Sequence, residues 1–233
     1  MNTITSHHNP ALKELRALQR RRARERSGRF AAEGEDLLAA ADAAGWPALA
    51  RYCSAGSGLD GVEVERQALA SVSTLGSGTR AVAVYEQRWA APVGPLCVYL
   101  HAIRDPGNVG TILRCAQAFG ASTVALGPAC ADPYGPKAVR ASMGAVFAVP
   151  LARATVADLP GERIALVPGA GEPLRGPAAG ETTVLVGAER EGLPDEVVAE
   201  CRRVAHIPIA GDSLNAAIAA GVALYELTRM AAP

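Results

Sequence analysis

Asn108 and Arg114 lie in HAIRDPGNVGTILRCAQAFGAS, residues 101–122. A carboxylate, Glu189, sits in GAEREGLP, and a hydroxyl and a second carboxamide, Ser213 and Asn215, sit in IAGDSLN. Groups of these types hold phosphates and hydroxyls by directed hydrogen bonds. The apolar run Leu96 to Leu100 leads into a loop with Asp105, Pro106, Gly107, Asn108 and Gly110, and then into TILRCAQAF, whose apolar spacing is helical. A strand, a glycine-containing turn and a helix are the usual setting for a nucleotide phosphate. No lysine follows the glycines as a phosphate loop requires, however, and the dinucleotide pattern G-x-G-x-x-G is missing.

The elements that must position these residues follow from periodicity. Strands are expected at LCVYL, STVALG, VFAVP, RIALVPG, TTVLVG and RRVAHIPI, with helices at VGTILRCAQAF, GPKAVRASMG, PDEVVAEC and SLNAAIAAGVALYELTRM. Short β runs alternating with helices imply a mainly parallel sheet covered on both faces, whose ligands sit at the carboxyl ends of the strands. All three polar clusters fall there. Upstream, GRFAAEG, ALARYCS and TRAVAVYE read as strands and EDLLAAADAAG as a helix, forming a smaller α/β unit. The proline-bearing stretch EQRWAAPVGP reads as a linker, so the expected division is residues 1–85, linker 86–95, and residues 96–233.

Composition narrows the function classes. A chain of 233 residues with 49% hydrophobic content can fill real cores. No apolar run approaches a membrane span, and the first residues lack the apolar core of a secretion signal, so a cytoplasmic protein is expected. Five scattered cysteines, Cys53, Cys97, Cys115, Cys130 and Cys201, suggest buried thiols rather than a disulfide framework or a zinc cluster. His7, His8, His101 and His206 show no metal spacing, and no metal is expected. The formal net charge is zero, yet Lys13 to Arg29 holds eight basic residues against Glu14 and Glu25. Such a block on an otherwise acidic chain favours phosphate binding over a merely solvated face. One helix is expected to carry most of it, with Asn9 as N-cap, Pro10 in the first position and Leu12, Leu15 and Leu18 on its apolar face.

Taken together, N-V-G-T-I-L-R, G-A-E-R-E-G-L-P and I-P-I-A-G-D-S-L-N closely resemble the three motifs of the SpoU (TrmH-like) RNA 2′-O-methyltransferases of the SPOUT superfamily. DPYGPKAVRASMGAVFAVP resembles the segment between the first two motifs, with Lys137, Arg140, Ser142 and Gly144 in the family's places. Residues from NPALKELRAL through RFAAEGEDLL are similar to the RNA-binding domain that often precedes the catalytic one, a small α/β domain resembling ribosomal protein L30e. The resemblance implies a catalytic domain with a parallel sheet and a deep trefoil knot, an exception to the rule against threaded chains. It implies S-adenosylmethionine as cofactor, a ribose 2′-hydroxyl in structured RNA as acceptor, 23S ribosomal RNA favoured over transfer RNA, and a homodimer. Carried over by position, Gly187, Ile207, Leu214 and Gly169 would touch the cofactor, and Asn108, Arg114, Glu189, Ser213 and Asn215 would surround the reacting ribose. Lys13, Arg20, Arg21, Arg22, Arg24 and Arg140 would face RNA.

Methyl transfer from a sulfonium to a hydroxyl is an in-line displacement in which oxygen, carbon and sulfur must be aligned and a proton eased away. A guanidinium is almost never deprotonated in proteins, so Arg114 is read as an electrostatic partner of a phosphate or developing alkoxide rather than as the base. Taken singly, the same residues have plainer readings. Asn108 suits a cap for a helix starting near Val109, Ser213 or Asp212 a cap for the last helix, and Arg114 or Glu189 a surface ion pair. The alanine-rich face of the last helix, Ala216, Ala217, Ala219, Ala220, Gly221 and Ala223, suits close packing within the chain or across a two-fold axis. Three departures from the family pattern stand out: only Asp212 between Gly211 and Ser213, Arg190 where glycine is frequent, and no threonine in LVPGAG. The alternatives are a transfer RNA 2′-O-methyltransferase, a non-catalytic RNA-binding protein and an α/β enzyme for a small nucleotide-like metabolite.

Overall fold

The computed structural model describes residues 3–75 and 78–229. The first part runs α1 (Pro10–Leu18), α2 (Arg21–Ser27), β1 (Arg29–Glu33), α3 (Glu35–Ala43), β2 (Ala50–Ser54), β3 (Val62–Val64), α4 (Arg66–Ala70) and β4 (Ala81–Glu86). Its four strands form one sheet in the order β1-β4-β2-β3, antiparallel except for the β2/β3 pair. Asn9 caps α1 as its sequence promises, accepting from the Ala11 amide at 2.9 Å, and Leu12, Leu15 and Leu18 are buried. The single basic helix expected here is two helices. The chain leaves α1 at Gln19, and Arg20 is extended (φ −96°, ψ 130°) before α2 begins, because Leu18 ends the apolar face that holds α1 to the core. The short β3 and α4 have no counterpart in the sequence reading.

The second part runs β5 (Leu96–Leu100), α5 (Pro106–Ala118), β6 (Thr123–Leu126), α6 (Pro136–Ser142), α7 (Ala145–Ala148), β7 (Leu151–Arg153), β8 (Glu162–Leu166), β9 (Glu172–Pro173), β10 (Thr182–Val186), α8 (Asp195–Ala199), β11 (Arg203–His206) and α9 (Ala216–Thr228). All pairings in its seven-stranded sheet are parallel, in the order β7-β6-β5-β10-β8-β11-β9. Every residue of β5, β6 and β10 is buried, which suits continuous apolar runs between two helical layers. VFAVP is not the expected strand: Ala145–Ala148 form one helical turn, and the strand starts beyond Pro150. Met230, included in the expected last helix, lies outside the described residues.

Two features position the site. The chain moves from β5 outward to β6 and β7, then returns to place β10 against the other side of β5. The loops after β5 and β10 therefore diverge from a switch in strand order, where open parallel sheets bind ligands. At Gly110 a side chain would meet the Ala138 carbonyl oxygen and the Ala141 methyl at 2.5 Å, so glycine lets α5 press directly on α6. The two sheets also share a core. Phe30, Trp46 and Tyr85 from the first part pack on Tyr134 and Phe147 from the second, with centroids 4.7 Å apart for Phe30 and Tyr134 and 5.0 Å for Tyr85 and Phe147.

Candidate active site

Asp105, not Asn108, is the N-cap of α5: its carboxylate accepts from the Asn108 amide at 2.8 Å, with Pro106 in the first turn. The sequence held this signal in Asp-Pro, and freeing Asn108 from capping leaves its carboxamide for other work. That carboxamide donates to the Glu189 carboxylate from the loop after β10 and accepts from Asn215 Nδ2 at 3.2 Å. Asn215, rather than Ser213 or Asp212, caps α9, its Oδ1 accepting from the Ala217 and Ile218 amides. Three motif residues 81 and 107 positions apart in sequence thus meet by side chain at the carboxyl edge of the sheet.

Beside this trio lies a cleft of about 350 Å³, lined among others by Gly187, Glu189, Ile207, Ser213 and Leu214. Leu166, Val186, Leu193 and Ile209 supply apolar wall that the sequence reading did not assign, although each lies in or follows an expected strand. The loop after β10 closes on itself through paired Ala188 and Gly192 hydrogen bonds of 3.1 and 3.0 Å. A Cβ on Gly187 would lie 2.2 Å from the Gly192 carbonyl carbon and 2.4 Å from the Leu193 nitrogen, so only glycine permits that closure. Gly169 lies outside the main cleft, in an adjoining depression with His206, Gly211 and Asp212.

Arg114 stands apart from this assembly. It is exposed on α5, does not line the cleft, and has no hydrogen-bond or ion-pair partner among the described residues. Cys115 of α5 and Phe119, which caps its C-terminus, pack against Gly221 and Tyr225 of α9. The faces of α9 divide accordingly: Ala216, Ala217, Ala220 and Ala223 are buried within the chain, while Ile218, Val222 and Tyr225 form an exposed stripe. Burial holds the nearby His101 imidazole below its ordinary pKa and pushes the Cys97 thiol up to about 11, so neither offers a reactive charge at neutral pH.

The basic residues are also sorted by the fold. Lys13, Arg20, Arg21, Arg22 and Arg140 are exposed. Arg24 is not: it is 4% exposed, binds Asp132 with contacts of 2.6 and 2.8 Å, and donates to the Leu18 carbonyl at 2.8 Å. Its assignment to the RNA face is therefore corrected, since its donors are spent on joining the two parts of the chain.

Comparison with known proteins agrees with this geometry. Residues 95–225 match the SpoU rRNA Methylase family, and residues 9–83 match an MRM3-like substrate binding domain. An uncharacterized tRNA/rRNA methyltransferase of Synechocystis is 33% identical, with 97% of this chain and 93% of that protein aligned. The 23S rRNA (guanosine(2553)-2′-O)-methyltransferase RlmP of Bacillus subtilis is 26% identical over 97% of this chain and 99% of its own length. The crystal structure of an AdoMet-bound rRNA methyltransferase from Sinorhizobium meliloti superposes with a TM-score of 0.86 at 33% identity, covering 97% of each chain. With three motif residues joined beside one cleft, and a family match over more than half its length, this chain belongs to the SpoU rRNA methylase family.

Proposed function

We propose that the chain is an S-adenosylmethionine-dependent methyltransferase that modifies a ribose 2′-hydroxyl in structured RNA, with 23S ribosomal RNA as its substrate. The observation that carries this reading is the Asn108–Glu189–Asn215 hydrogen-bonded set beside the cleft of Gly187, Ile207 and Leu214. The cleft suits the cofactor: its apolar wall fits a purine, and Gly187 keeps the closed loop free of side-chain bulk. Bound there, S-adenosylmethionine supplies an activated methyl group on sulfonium sulfur. Asn108 and Glu189 hold polar groups toward the ribose, and Ser213 supplies a further hydroxyl at the wall. Arg114 acts as fixed positive charge for the adjoining phosphate and the developing alkoxide, with phosphate or water taking the proton.

In this reading residues 1–85 grip RNA, residues 86–95 link, and residues 96–233 carry the knotted methyltransferase domain. Ribosomal RNA is preferred because RlmP of similar full length acts on 23S rRNA, and such a substrate implies a cytoplasmic location. The exposed stripe of Ile218, Val222 and Tyr225 is the two-fold surface of a homodimer, and Arg114, on the helix α5 that packs against α9, serves the partner's cleft. The test combines calorimetry with S-adenosylmethionine and transfer of radiolabelled methyl to deproteinised 23S rRNA and to tRNA. Cofactor binding with label in 23S rRNA is expected. Label in tRNA alone moves the substrate assignment, and cofactor binding without any transfer points to a non-catalytic RNA-binding protein.

A further inference from the structure

A second and larger cleft, about 600 Å³, opens at the carboxyl ends of β6 and β7, where the two parts of the chain meet. Its floor is the loop after β6, one wall is α2 through Arg21, and the other carries Trp89 and Arg153. The Arg153 guanidinium lies 4.2 Å above the Trp89 ring, and that indole stands perpendicular to the buried Tyr134 at 5.3 Å. The carboxylates around the cleft already have partners: Asp132 is paired with Arg24, Glu25 with Arg21, and Asp158 accepts from the amide and hydroxyl of Thr155. Arg153 is exposed and has no carboxylate partner among the described residues. Ala129 in the floor is held at φ 57°, a conformation costly for a residue with a side chain and concentrated at ligand sites.

A planar cation backed by an indole, above apolar floor and with little net charge, matches the flat face of an unstacked nucleobase better than a bare phosphate. Position adds to chemistry. Because all strands are parallel, this cleft opens on the same sheet edge as the Asn108–Glu189–Asn215 set, and β7, which carries Arg153, is three strand spacings from β10, about 14 Å. We propose that the Arg153–Trp89 shelf receives a nucleobase close along the strand from the methylated ribose, a subsite that rests on the RNA methyltransferase reading above.

The test uses the full chain and deproteinised 23S rRNA from a strain lacking the gene, with RNA affinity by filter binding and cofactor affinity by calorimetry. Arg153→Ala is expected to weaken RNA binding about tenfold, the loss of one stacked base, and to leave S-adenosylmethionine affinity unchanged. Arg153→Lys should recover little of it, since an ammonium cannot stack. Trp89→Leu should act in the same direction, with thermal unfolding recorded to separate a lost shelf from a lost fold. Unchanged RNA affinity in Arg153→Ala would falsify the subsite, and full recovery by lysine would replace it with a phosphate contact. If the unaltered chain binds neither cofactor nor 23S rRNA, the methyltransferase reading itself fails.

Discussion

The first helices and the strand-end cleft deal with polar side chains in opposite proportions. Along α1 and α2 most of the arginines and the lysine are displayed to solvent, and one arginine, Arg24, is locked against Asp132. Around the cleft the carboxamides and Glu189 are locked to one another, while Arg190 on its wall and Arg114, off the cleft on α5, are displayed. A locked residue owes its position to a distant partner and acts on stability or geometry, whereas a displayed cation is held ready for a ligand and its loss should leave the fold intact. That difference is open to direct attack.

The largest effect is expected where a locked charge is broken. Arg24→Ala leaves Asp132, 11% exposed at its side chain, without its cation, and removal of one partner of such a buried pair costs about 3–5 kcal/mol. Urea unfolding should register this as a lower midpoint. Replacing both residues by apolar ones of similar volume should restore most of the loss. A single variant as stable as the parent would show that Arg24 is not locked in any energetic sense.

Next comes the displayed arginine of α5. Arg114→Ala should keep its unfolding midpoint and cofactor affinity while lowering the rate of methyl transfer on the order of 100-fold, the scale of removing one electrostatic partner from a transition state. Mixing it with a Glu189→Ala variant sharpens the point. If Arg114 serves the partner's cleft, mixed dimers carry one intact site and activity returns. Failure of the mixture to regain activity, in dimers known to exchange subunits, would assign Arg114 to its own chain's cleft.

The smallest change is expected in the basic helices. Arg20, Arg21 and Arg22 replaced together by glutamine should flatten the salt dependence of RNA binding, by about 0.7–0.9 in the log–log slope for each phosphate no longer neutralised. Stability and cofactor affinity should hold. An unaltered slope would mean that these displayed cations face only solvent.

What the sequence made legible follows the same division. β5, α5 and α9 announce themselves by apolar runs and helical spacing, and the polar clusters fall at strand ends because loops there carry the chemistry. Asp105 was legible in principle through the proline after it, yet Asn108 drew attention as the cap. The break between α1 and α2 carries no glycine or proline, and nothing local separates Arg24 from Arg22; only Asp132, 108 residues away, does. VFAVP misleads because so short an apolar run fits a single helical turn as well as a strand, and the true strand begins only at Leu151. Residue identity along the chain therefore told which groups were available, and tertiary pairing decided which were spent.

One consequence of the cap on α9 concerns polarity. The Asn215 oxygen is committed to the amides of Ala217 and Ile218, so its nitrogen must point outward as a donor. Asn108 must then turn its oxygen toward Asn215 and its nitrogen toward Glu189. The direction of every hydrogen in this short series is dictated by the helix terminus, as a row of arrows is set by its first member. Asn215→Asp would preserve the cap yet remove the outward donor. Asn108 would have reason to reverse, bringing an oxygen against Glu189, and a change of one atom at a helix end would replace a donor by a second negative charge beside Glu189 at the cleft.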